Sequence, residues 1–281
     1  MTSRNTETLA KLIAETSSSL PDDVLAALRA AKRREDESSS ASHILSTILA
    51  NCELARKSGT PLCQDTGTLA FFIDSRLKRR VPAAAVKAAV ALATKRGMLR
   101  KNCIDPVTGF SHDDNCADGA PQIHYVDAPA NSRPSVTLLM KGGGSENMSR
   151  QYSLPDAALG AGRDMEGVRR CIIDAVVKAQ GCGCAPGILG VCIGGDRAAG
   201  FATAKRQLLR PLSDRSPDKT LARLEKTIVE EANSLGIGPM GLGGNTTLLG
   251  AKIAAAPRVP ASFFVTVAYM CWACRRRTIL L

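Results

Sequence analysis

Residues 188–196 read Ile188-Leu189-Gly190-Val191-Cys192-Ile193-Gly194-Gly195-Asp196, an apolar run that ends in a glycine turn. It is too short to cross a bilayer and, closed by turn residues, it reads as a buried strand. Two more glycine turns stand beside equally marked elements. Lys141-Gly142-Gly143-Gly144-Ser145-Glu146-Asn147 follows a strand predicted over Val136 to Met140, and Gly241-Leu242-Gly243-Gly244-Asn245-Thr246-Thr247 follows a helix. That helix is predicted to begin with Ser216 as N-cap and Pro217 as first helical residue, and Leu221, Leu224, Ile228 and Ala232 carry its buried stripe up to Gly236.

Further out, Leu69 to Ile73 and the apolar run Ala261 to Met270 read as strands, Ala83 to Met98 as an alanine-rich helix, and Asn102 to Ala120 as turns. The N-terminal third is helical: Leu9, Leu12 and Ile13 repeat at helical spacing, a second helix starts at Ser19-Leu20-Pro21-Asp22 and runs through Leu28, and Ile44, Leu45, Ile48, Leu49 and Cys52 form a third stripe. Lys32 to Ser42, rich in acids, bases and serine, reads as the linker between the last two. Irregular alternation of strands and helices predicts the α/β class in its mixed α+β form: a helical part over 1–58, then a layered mixed sheet with helices over 59–281. At 281 residues the chain makes one large domain or two small ones, read here as one catalytic domain over 1–281.

Charge and composition narrow the function. Thirty-seven Lys and Arg against 26 Asp and Glu leave +11, which favours an anionic partner such as an acidic metabolite or subunit. Aromatic residues make up only 4%, with none interleaved among basic clusters as a base-stacking platform, so nucleic acid is excluded. Lys32-Arg33-Arg34, Lys78-Arg79-Arg80 and Arg275-Arg276-Arg277 read as solvated faces or a subunit contact. Mean hydropathy near zero argues against a membrane span. Met1 to Ser19 lacks the apolar core of a secretory signal, so the expectation is a reducing compartment, the cytoplasm.

Ten cysteines are then better read as ligands or core residues than as disulfides. Cys52, Cys171 and Cys192 fall in apolar stretches and read as core. Cys103 and Cys116 lie among turns and can be either. Cys63, Cys182, Cys184, Cys271 and Cys274 occupy turns, where backbone can approach an inorganic group. Cys182, Cys184, Cys271 and Cys274 can make a four-thiolate zinc site, which leaves Cys63 and Asp65 unexplained. One cysteine from each of three turns can instead hold an iron–sulfur cluster with one iron open to substrate. Successive N–H groups of the glycine turns suit a carboxylate or phosphate, or else the glycines serve tight turns. Pro239 and Asn245 break a Walker A pattern around Gly244, and Gly236-Ile237-Gly238-Pro239-Met240-Gly241 follows a helix, which breaks a dinucleotide fingerprint. His43, His112 and His124 form no nucleophile triad; His43 reads as structural, and His112, beside Asp113 and Asp114, has no Cys or His partner at zinc spacing.

Taken in order, Pro61-Leu62-Cys63-Gln64-Asp65-Thr66-Gly67-Thr68, Lys141 to Asn147, Cys184-Ala185-Pro186 with Gly190 to Gly195, Gly241 to Thr247 and Tyr269-Met270-Cys271-Trp272-Ala273 resemble class I fumarate hydratases and tartrate dehydratase alpha subunits. The resemblance implies a [4Fe-4S] hydro-lyase, chiefly one that hydrates fumarate to (S)-malate, with tartrate dehydration as the alternative. By motif, Cys63, Cys184 and Cys271 are its cluster thiolates, and the fourth iron acts as a Lewis acid on the hydroxyl and carboxylate of a four-carbon dicarboxylate. The resemblance also implies that Gln64 and Asp65 face the substrate, Asp65 in hydrogen-bond or proton-transfer contact, and that Gly143 with its neighbours seats a carboxylate. Cys182, Cys192 and Cys274 are spare thiols, and Val259 stands where many members carry a substrate-contacting histidine. In the family a swivelling C-terminal domain completes the site, supplying further basic substrate ligands and the proton-abstracting group. Its absence before Leu281 leads us to expect a separate beta subunit or a truncated single-chain enzyme, with a homodimer formed through this chain and poor turnover alone.

Overall fold

The computed structural model describes residues 2–281. The first half runs α1 (Thr2–Ser18), α2 (Asp22–Lys32), α3 (Ser40–Ser58), β1 (Thr68–Asp74), α4 (Ala83–Lys95), β2 (Cys103–Ile104), β3 (Ser111–His112), β4 (Gln122–Val126) and β5 (Ser135–Lys141). The second half runs α5 (Gly143–Asn147), β6 (Arg150–Ser153), α6 (Met165–Ala179), β7 (Gly187–Gly194), α7 (Arg197–Gln207), α8 (Lys219–Ser234), β8 (Leu248–Ala256), β9 (Phe264–Met270) and β10 (Arg275–Leu280). The mixed α/β class is as expected. The described residues up to Pro21, with Ala50–Gly143 and Ala273–Leu281, form one compact unit; Asp22–Leu49 and Gly144–Trp272 form a second. The first three helices are thus divided between the two units, and α3 contributes to both.

The first unit is built on a sheet in the order β10-β5-β1-β4. β5 is antiparallel to both its neighbours, β1 and β10, and β1 is parallel to β4, the connection that α4 makes possible. Leu9, Leu12 and Ile13 of α1 pack with Val86, Ala89, Val90 and Ala93 of α4 and with Phe71, Ile73, Leu138 and Met140 of the sheet. Alanines along α4 let α1 lie close against it. The turn-rich stretch 102–120 contains the small antiparallel ribbon β2–β3.

The second unit is a sheet in the order β6-β9-β7-β8, with β7 parallel to β8 and antiparallel to β9. Every residue of β7 is buried. Leu189, Val191 and Ile193 join the core formed with α6 and α8. Gly190 faces the other way, where an added Cβ would stand 2.1 Å from the Ala204 carbonyl oxygen of α7. Two covered faces explain a strand with no polar alternation.

Three expectations are corrected. The Lys32–Ser42 stretch is no loose linker: Glu35 is buried and its carboxylate accepts the Asn245 N–H at 3.0 and 2.8 Å. The cap of α8 is Asp218, whose carboxylate accepts from Thr220 and Leu221 N–H, and Ser216 accepts instead from the Asp218 N–H. Arg275-Arg276-Arg277 is not a solvated face, since it opens β10 with Arg275 at 1% and Arg276 at 8% exposure. Pairing with β5 and the ties of the side chains draw these arginines inward.

Candidate functional site

In the first unit the loop between α3 and β1 carries Cys63, Gln64 and Asp65. Its entry is pinned at Leu62, whose N–H donates to the Ser17 carbonyl oxygen at 2.9 Å and whose carbonyl accepts from Asn51 Nδ2 at 3.0 Å. Buried Thr66 donates to the Arg100 carbonyl oxygen at 2.8 Å. Gly67 sits at φ +70° with its Cα facing the Lys141 carbonyl, which an added Cβ would meet at 2.3 Å. A side chain there is forbidden by both conformation and space.

Asp65 is the best-held residue of this loop. Its Oδ1 accepts from the Gly67 N–H at 2.8 Å and its Oδ2 from the Gly143 N–H at 2.7 Å. Its carbonyl oxygen accepts from Arg275 Nη2 at 2.8 Å. Gly142 must lack a Cβ, which would stand 2.8 Å from Asp65 Oδ2. Asp65 and Gly143 are therefore brought together, while Gln64 is exposed and Cys63 half-buried beside them in sequence. The Gly143 amide, expected to meet a substrate carboxylate, is engaged by Asp65.

In the second unit Cys184 lies in the turn between α6 and β7 at φ +53°, a left-handed conformation uncommon for a side-chain-bearing residue. The turn is closed by Cys184 N–H to the Gly181 carbonyl at 3.0 Å and by Met240 N–H to the Ala185 carbonyl at 2.9 Å. Cys271 follows β9 directly. The Trp272 N–H donates to the Cys184 carbonyl at 3.2 Å, which ties the two turns together. Tyr269 packs between them: a Cβ on Gly183 would stand 2.3 Å from its ring, and one on Gly187 2.5 Å from its hydroxyl. Burial foremost, then the Cys271 and Cys184 thiols, pushes the Tyr269 phenol up, in keeping with two sulfur atoms close by.

Other cysteines part from this group. Cys52, Cys171 and Cys192 are buried as expected, and burial pushes the Cys171 thiol up to about 12 and that of Cys116 to about 11. A four-thiolate zinc site would need Cys274, which is 1% exposed, alongside Cys182, which is exposed. All ten cysteines are free thiols. Among the described residues no three His, Cys, Asp or Glu converge as on a single metal ion. Cluster thiolates each take a different iron and need no such convergence. Cys63 in the first unit, and Cys184 and Cys271 in the second, are each half-buried on a turn.

Two glycine turns are tight turns with amides bonded to other parts of the protein. In 241–247, Glu35 takes the Asn245 N–H and Asn233 Oδ1 takes those of Thr247 and Leu248. Gly194 and Gly195 adopt φ of +86° and +70°, and Asp196 caps α7 through the Ala199 N–H at 2.8 Å. His43 is exposed and bonds the Ser39 carbonyl one turn back, and His112 meets Phe110 edge-on. Val259 is 64% exposed. Two residues were missed from the sequence. Tyr269 sat inside a recognised motif without a role, and Arg275 was hidden in a basic run that reads as surface.

The chain matches the model of the fumarate hydratase (Fumerase) family over residues 6–280. It is 47% identical over 281 residues to a protein of Geobacillus stearothermophilus named for class I fumarate hydratase, covering 96% of this chain and 53% of that one. The chain therefore spans about half the length of that relative. It is 33% identical to a protein of Methanocaldococcus jannaschii named for the alpha subunit of L(+)-tartrate dehydratase, covering 96% of this chain and 95% of that one. The L(+)-tartrate dehydratase subunit alpha of Escherichia coli K12 is 31% identical, over 98% of this chain and 90% of its own. The chain belongs to the fumarate hydratase (Fumerase) family, a family of hydro-lyases.

Proposed function

We propose that this chain is the cluster-bearing part of a hydro-lyase that adds water reversibly across the double bond of fumarate to give (S)-malate. The observation that carries the reading is the pair of half-buried thiols Cys184 and Cys271, on turns joined through Trp272 N–H to the Cys184 carbonyl at 3.2 Å. With Cys63 they would hold a [4Fe-4S] cluster, which when bound supplies a Lewis-acidic iron to the substrate hydroxyl and carboxylate.

The remaining work falls to the protein. Each Asp65 oxygen accepts one backbone N–H and keeps a second lone pair, so the carboxylate can take or give a proton in a fixed orientation. Exposed Gln64 beside it orients the dicarboxylate through its amide. Gly143 holds Asp65 in place, and the exposed backbone of Gly144 next to it offers the seat for a substrate carboxylate. The net charge of +11 favours a dianionic substrate.

The reading further includes a homodimer, a beta subunit or C-terminal domain that completes the site, and a reducing, cytoplasmic setting suited to ten free thiols. No described helix is long and apolar enough to cross a membrane. Tartrate dehydration is the second reading, favoured by 33% identity to the alpha subunit of Methanocaldococcus jannaschii. The test is anaerobic turnover of fumarate and of L(+)-tartrate, side by side, by the holoenzyme isolated from its source. Malate formation in clear excess over tartrate loss is the expected result. The reverse preference would install the second reading, and turnover of neither would remove both.

A further inference from the structure

Arg275 is 1% exposed, and its guanidinium Nε and Nη1 are buried and without hydrogen-bond partners. Only Nη2 is committed, at 2.8 Å to the Asp65 carbonyl oxygen. A buried guanidinium with two of its three nitrogens unpartnered costs stability, and such groups in native proteins call for an explanation. Direct contact with substrate is not the explanation, because the side chain is closed off from solvent. What it does touch is the backbone of the residue read as the proton-transfer group.

We propose that Arg275 is the positioning residue of Asp65, an inference that rests on the hydro-lyase reading above. The Asp65 carboxylate is oriented by two amides, that of Gly67 two residues on in its own loop and that of Gly143 just after β5, while the peptide planes of the loop could otherwise turn. Fixing the Asp65 carbonyl removes that freedom. Arg275 does this from the first residue of β10, whose pairing to Met140 of β5 brings it beside the Lys141–Gly142 backbone that leads to Gly143. The Gly142 Cβ position lies 4.0 Å from Arg275 Nη2 and 2.8 Å from Asp65 Oδ2, so one guanidinium borders both halves of the Asp65 support.

The test compares Arg275→Met and Arg275→Lys in the holoenzyme with the unaltered enzyme. A carboxylate displaced by about 1 Å costs on the order of 100-fold in rate. Arg275→Met should therefore lower kcat about 10- to 100-fold with KM changed less than about threefold, and iron and sulfide per chain should be unchanged. Arg275→Lys, which keeps a charged donor for the Asp65 carbonyl, should recover part of the loss. A second readout needs no cluster: hydrogen exchange on the metal-free chain should quicken in the segments holding Gly67 and Gly143 and not across the paired strands. Unchanged kcat in Arg275→Met overturns the inference. So does a loss that follows iron content, faster exchange over the whole sheet, or failure of both variants to fold, since each makes Arg275 a structural residue. An unaltered enzyme inactive on fumarate and tartrate would instead strike the hydro-lyase reading itself, and the exchange result would still decide whether Arg275 holds Asp65.

Discussion

The two turn systems of the candidate site are held by different forces. The Cys63–Asp65 loop is held by polar ties: two amides on the Asp65 carboxylate, a guanidinium on its carbonyl, and Thr66 Oγ1 on the Arg100 carbonyl. The Cys184 and Cys271 turns are held by packing, with the Tyr269 ring pressed against Gly183 and Gly187 and a backbone hydrogen bond joining the turns. Polar ties fix the direction of an individual atom, which proton transfer needs. Packing fixes the position of a whole turn, which suffices for a thiol whose job is to stay in place.

Breaking the polar side should cost most in activity. Asp65→Asn keeps the size of the side chain but removes the charge and the proton-transfer group, so kcat for the hydro-lyase reaction should fall about 10²- to 10⁴-fold, with iron content retained. Steady-state kinetics with an iron assay decides it, and a loss below tenfold would take Asp65 out of the chemistry. On the packing side the effect should appear as stability. Gly183→Ala drives a methyl group into the Tyr269 ring and should cost about 1–3 kcal/mol. Tyr269→Leu in the same chain should make the pair less damaging than the sum of the singles in denaturant unfolding; strict additivity would mean that the ring is not what the glycine accommodates.

A finer probe of the polar side is Thr66→Val, which removes the bond to the Arg100 carbonyl and should cost about 1 kcal/mol while leaving kcat close to unaltered. Unfolding and kinetics on one preparation would separate the two. The smallest effect lies away from both turns. Glu166 is exposed, and the Arg169 and Arg170 guanidinium groups lower its carboxyl from 4.5 to about 2. Its folded value is below its unfolded one, so its contribution is present above about pH 4.5 and is lost as the pH falls toward 2. Glu166→Gln should flatten the acid limb of a stability profile slightly in that window; a steeper limb would reverse the sign of the assignment.

Legibility followed the same physics. β7 was readable because both its faces are covered, so Leu189, Val191 and Ile193 alternate with residues as apolar or small as themselves. β10 was not, because Arg275 is buried with its guanidinium on the Asp65 carbonyl, 210 residues away, whereas local sequence reads three arginines as surface. Glu35 was misread for the same reason, its partner Asn245 being 210 residues away. The three cysteine turns were legible through their ordered motifs. What they could not reveal is that the Gly143 amide serves Asp65, or that the 241–247 turn gives its amides to Glu35 and Asn233. Burial and long-range partners decide such matters, and no local pattern carries them.

The central claim is that Cys63, Cys184 and Cys271 hold an iron–sulfur cluster while Cys274 does not. It is tested most directly by iron, zinc and acid-labile sulfide per chain in protein purified without oxygen, with Cys63→Ser and Cys274→Ser measured alongside. Near-equal iron and sulfide in the unaltered chain, lost in Cys63→Ser and kept in Cys274→Ser, is the predicted result. Zinc without sulfide, lost in Cys274→Ser and kept in Cys63→Ser, would contradict it.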